Sequence, residues 1–166
     1  MNFHLIFVHF PIGILTLYAV CEYIPFRNTI WVYIKTLLVV TGAFGAFLTL
    51  QTGELIEDQF NTMRNLVELH STAASVASTI FAIIACVYLL QLVHSEKILF
   101  IEKNSTLKNL VSKTQWLVHI FYRPWLLRFA AICGFVALII TGALGGAIAH
   151  GVDVDPIASF VYHLFY

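Results

Sequence analysis

Charge is what this chain has least of. Asp, Glu, Lys and Arg together make up 11% of its 166 residues, where water-soluble domains carry about a quarter. So few charges cannot cover the surface of a soluble globule. The nine basic residues are cancelled by nine acidic ones, which excludes a basic nucleic-acid binder. Cysteine is scarce as well, with three residues in all, and that excludes a disulfide-stapled secreted module. There is no Cys-x-x-Cys-His, so a covalently attached c-type haem is excluded. What is abundant is apolar: 60% of the residues are hydrophobic and the mean hydropathy is +0.86, which excludes disorder. Histidine is the one plentiful ionisable type, with seven copies against nine residues of either charge sign.

Four apolar runs stand out, over residues 3–23, 30–50, 66–92 and 125–149. Each is long enough as a helix to cross about 30 Å of hydrocarbon. The expected fold is all-α: an integral membrane four-helix bundle over residues 1–152, followed by an aromatic C-terminal tail over 153–166. The first run lacks the basic start and small-residue cleavage site of a signal peptide. With four crossings, loops one and three share a side. Eight of the nine basic residues fall in those loops or at the adjoining ends of the runs, as Lys35 and Arg128 do, and only Arg64 falls opposite. The positive-inside rule then predicts both termini outside. Acidic residues mirror this, so the zero net charge hides a chain polarised between its two ends.

Loop three alternates Leu107, Leu110 and Val111 with Lys103, Lys108 and Lys113. That pattern predicts a helix lying on the anionic cytoplasmic leaflet, with Trp116, Tyr122 and Trp125 as interfacial anchors. Pro124 suits the first turn of the fourth span. The tail after Pro156 is apolar on every side and is expected either to lie on the outer interface or to dock.

Ionisable groups inside a bilayer cost about 2.5–3.5 kcal/mol each on insertion scales. His4 and His9 open the first run, His70 opens the third and His150 closes the fourth, so alternation brings all of them to the outer end. Glu54, after the second run, arrives at the same level. Asn65 followed by Glu68 reads as a capping box that sets His70 in the second turn. Ala73, Ala74, Ala77 and Ser78 lie below His70 on its own face; Gly142 and Gly146 lie below His150. Such small residues ordinarily allow close helix approach, but beneath a histidine they also leave room for a flat macrocycle. Pro11 frees the Phe7 carbonyl two residues after His9. His4 and His9 lie about 140° apart on a helix, so His9 is the better ligand. Taken singly, each histidine fits a headgroup-level or helix-end role; it is their coincidence at one depth on three helices that predicts a site.

The stretches Phe7-Val-His-Phe-Pro-Ile12, Thr52-Gly-Glu54, Leu69-His70, Thr141-Gly-Ala-Leu-Gly-Gly146 and His150-Gly-Val152 resemble, in order, the bacterial four-span membrane proteins known as domain of unknown function 2231. By that resemblance His9, Glu54, His70, Gly146 and His150 match the family's marked positions. It implies a bacterial cytoplasmic membrane and redox surroundings, since family members occur joined to Rieske or cytochrome c modules. The Asp153–Asp155 stretch and the aromatic tail depart from the family pattern.

Three functions follow as expectations. The first is a b-type haem held by paired imidazoles, with His70 and His150 as the first axial pair and His9 as substitute or second-group ligand. Its partners would be quinol, an extracytoplasmic cytochrome or Rieske-type protein, or a larger membrane complex. The second is a zinc, copper or non-haem iron site formed by His9, Glu54, His70 and His150. The third is an accessory subunit whose tail is its purpose. Transport is disfavoured because no span carries paired carboxylates at mid-depth, and the cysteines read as small buried hydrophobes.

Overall fold

The computed structural model describes residues 3–26, 28–54, 64–95, 104–151 and 156–165, without the side chains at 3–7, 54, 110, 158, 164 and 165. All regular structure among them is helical: α1 (Phe3–Tyr23), α2 (Thr29–Glu54), α3 (Arg64–Ser95), α4 (Ser105–Phe121), α5 (Pro124–His150) and α6 (Pro156–Phe165). Among the described residues, three helices are long and apolar enough to cross a membrane, over Thr29–Gly53, Arg64–Ser95 and Pro124–His150. α1 supplies a shorter apolar helix, Val8–Tyr23. The four long helices close a ring in which α1 touches α2, α2 touches α3, α3 touches α5 and α5 returns to α1. Their outward faces carry large apolar side chains in the open, including Leu37, Phe44, Ile83 and Phe129. In water that surface would be unfavourable; it belongs in a lipid bilayer.

Glycine sets how closely the helices approach. A Cβ on Gly42 would lie 2.5 Å from the Leu15 side chain, and one on Gly134 would lie 2.8 Å from the Phe81 ring. The first absence lets α1 meet α2, and the second lets α3 meet α5. Phe81, Tyr18 and Leu15, all fully buried, fill the middle of the ring. Tyr18 stands edge-on to Phe81 and to Tyr88, at centroid separations of 6.2 and 6.0 Å.

The helix in the third connection is present as α4. Asn104 caps it by accepting from the Thr106 and Leu107 amides at 3.1 and 3.3 Å. Pro124 occupies the first turn of α5, where its missing N–H costs nothing. The capping box at Asn65 is not formed, because Arg64 and Asn65 already lie inside α3. An N-cap residue stands outside the helix with a non-helical backbone, and Asn65 has a helical one. α5 ends at Gly151, whose φ of +96° suits a residue without a Cβ. Beyond it, α6 packs on α5, and Val161 is buried among Leu66, Ala143, Leu144 and Ala147. The described part of the tail is therefore docked on the bundle. Cys21 is buried, as expected of a small hydrophobe, whereas Cys86 is exposed on the outward face of α3.

Candidate functional site

Of the expected site residues, His70 is fixed by a hydrogen bond to another helix. Its Nδ1 lies 3.0 Å from the Thr141 carbonyl oxygen of α5. A carbonyl only accepts, so Nδ1 carries the hydrogen and, in the neutral ring, the lone pair resides on Nε2. The Thr141 hydroxyl donates in turn to the Ala137 carbonyl at 2.8 Å. The imidazole lies flush on α5 because residue 145 is glycine. A Cβ there would approach the ring's Cε1 to 3.0 Å.

The other expected residues fall into two groups. Ala73 packs against the small cluster around Leu144, and Ala77 is 1% exposed in the main core. Ala74 between them is half-buried. The small-residue strip on α3 is thus largely consumed by helix packing. The strip on α5 is not: among the described residues, a Cβ on Gly142 or Gly146 would meet nothing within 4 Å. His9 and His150 are both exposed. His150 follows Gly145, the seat of His70, by five residues, which sets it about 140° around the helix from that seat. The side chains of His4 and Glu54 lie outside the described residues. Among the described residues, no three His, Cys, Asp or Glu side chains are grouped closely enough to hold a metal ion.

The opposite end of the ring holds a buried ionic cluster that sequence reasoning passed over. Glu22 of α1, 3% exposed, meets the Lys35 ammonium of α2 at 3.2 Å. Tyr88 of α3 donates its hydroxyl to the same carboxylate oxygen at 2.5 Å. Arg128 of α5 reaches the Glu22 backbone carbonyl at 3.4 Å, and Tyr23 returns a hydroxyl bond to the Arg128 carbonyl at 3.0 Å. One acidic residue therefore ties all four long helices. Beside it the Tyr18 hydroxyl is buried with no hydrogen-bond partner among the described residues. Tyr122, between α4 and α5, stands edge-on to Tyr88 at 5.4 Å. Burial and then the Glu22 carboxylate push its phenol above the ordinary value. The signal was present in the sequence: one acid and one base, each solitary in an apolar run, on either side of a short turn.

No protein-family model, curated protein or solved structure matches this chain.

Proposed function

We propose that the chain is a four-span membrane protein carrying a b-type haem at its histidine end, with that end and both termini on the extracytoplasmic side of a bacterial cytoplasmic membrane. The sidedness rests on the eight basic residues gathered in and around loops one and three. On this reading α1 is the fourth span, and α4 lies on the cytoplasmic leaflet. The resemblance to domain of unknown function 2231 belongs to the same proposal.

One observation carries the haem reading, namely the His70 ring held by the Thr141 carbonyl through Nδ1. Ligating histidines are oriented in this way, with one nitrogen anchored as donor and the other turned to the metal. The open face above Gly142 and Gly146 is the second support, since a planar macrocycle needs a stretch of helix without side chains. His9 is the favoured second ligand. Tyr23 of α1 touches α5 at Arg128, and His9 and Gly142 each lie fourteen residues from that contact toward the histidine end. Fourteen residues are about 21 Å and, to within about 40°, whole turns. By ideal helix rise His9 and the open glycines therefore come to about the same height. His150 sits farther round, suited to a propionate or the headgroup layer.

Two imidazoles suffice for haem, whereas a bare zinc, copper or iron ion needs three or four protein ligands. That favours haem. Bound there, the group would supply one-electron transfer, with quinol, an extracytoplasmic cytochrome, a Rieske-type protein or a larger membrane complex as the exchange partner. The test is the absorption spectrum of the full chain purified after expression with adequate haem. A Soret band and an α-band that sharpens on dithionite reduction are expected. A colourless protein that retains one zinc after dialysis would overturn the proposal.

A further inference from the structure

At the basic end, the last turns of α3 and the facing side of α4 enclose a groove of about 560 Å³. Ligand sites commonly span about 300–1,000 Å³. His94 fastens its two walls, with Nδ1 2.7 Å from the Leu90 carbonyl oxygen of α3 and Nε2 3.1 Å from that of Val111 of α4. Gln91, Gln115, Trp116, His119 and Tyr122 supply most of the remaining lining. The lining contains no Lys, Arg, Asp or Glu. A phosphate or carboxylate headgroup is ordinarily met by Arg or Lys, and the His94 ring turns both nitrogens to the Leu90 and Val111 carbonyls, so the lining suits an anion poorly. It is right for a neutral planar ring with acceptors at its edges. Two carboxamides and an imidazole offer N–H donors, and Trp116 and Tyr122 offer aromatic faces. The side chains of Gln91, Gln115 and His119 make no hydrogen bond to protein among the described residues.

We propose that this groove binds the ring of a lipid-soluble quinone, whose two carbonyl oxygens accept from the glutamine amides and His119 while its isoprenoid tail runs into the lipid. The groove lies where apolar α3 gives way to amphipathic α4, which is the depth at which a polar ring on an apolar tail settles. Its Tyr122 wall backs onto Tyr88 and, through the Tyr88 hydroxyl, onto the buried Glu22 carboxylate. The inference needs the bilayer but none of the histidines at the opposite end, so it stands or falls apart from the haem.

The test is photolabelling of the full chain in phosphatidylcholine nanodiscs with an azidoquinone, with decylubiquinone as competitor and peptides read by mass spectrometry. Label concentrated on Gln91 and on residues 114–122, removed by the competitor, is expected. The Q91L/Q115L variant is expected to lose about tenfold in labelling, as for two lost hydrogen bonds, with unchanged far-UV circular dichroism. Trp116→Ala, at a side chain already 60% exposed, repeats the reading if that variant does not fold. Label spread over outward-facing residues of α5 such as Ile132 and Ile139, or label displaced by phosphatidylglycerol and not by decylubiquinone, overturns the proposal.

Discussion

Replacing Lys35 by methionine tests whether the Glu22 cluster holds the helices together as an ion pair. At 3.2 Å, and with an effective dielectric constant of about 20, the two charges attract by about 5 kcal/mol. Little of that is net stability, because both groups gave up water to reach the site. Their removal is therefore asymmetric. Lys35→Met leaves a carboxylate that is 3% exposed with the Tyr88 hydroxyl as its remaining side-chain partner, and a loss of about 3–5 kcal/mol is expected. The double variant E22Q/K35M removes both charges and is expected to lie within about 1 kcal/mol of the parent, or above it. Unfolding by SDS in mild detergent micelles, followed by near-UV circular dichroism, measures all four corners of the cycle. A Lys35→Met protein within about 0.5 kcal/mol of the parent, the range of an ordinary surface change, would show that the pair carries no charge. Additive single variants would show that the two side chains do not act together.

Two glycines of α5 are expected to answer differently to the same substitution. Gly134→Ala drives a methyl against the Phe81 ring at 2.8 Å and should cost about 1–3 kcal/mol in the SDS assay. Gly142→Ala adds a methyl where nothing among the described residues lies within 4 Å; it should leave stability unchanged while lowering haem content. Equal effects on stability would contradict the close-approach argument. The orientation is checked with a membrane-impermeant maleimide on intact cells, in a background whose three cysteines are alanine. Arg64→Cys should label from outside, and Lys113→Cys should label only after lysis. The reverse pattern would invert the topology.

The apolar runs over 30–50, 66–92 and 125–149 were legible because composition alone separates a lipid-facing helix from a loop, and α2, α3 and α5 contain them. What was not legible depends on rotation and neighbours. Asn65 and Glu68 have the spacing of a cap, yet the helix already runs through Arg64. Ala73–Ala77 and Gly142–Gly146 read as equivalent strips, and only packing against Leu144 and the core shows that the first is filled while the second is open. Lys35 looked like a loop charge near the end of a run. The short turn between α1 and α2 folds it back onto Glu22. The bond from His70 to Thr141 spans 71 positions of sequence and had no local signature at all.

In the proposed site His70, anchored through Nδ1, would hold a haem iron through Nε2, with His9 as the second ligand. Near-infrared magnetic circular dichroism of the oxidised protein measures the axial ligand pair directly. The parent is expected to show the charge-transfer band of a bis-imidazole low-spin haem, and His70→Met the band of a histidine–methionine pair. Identical spectra from the two proteins, or no haem signal in the parent, would contradict the account.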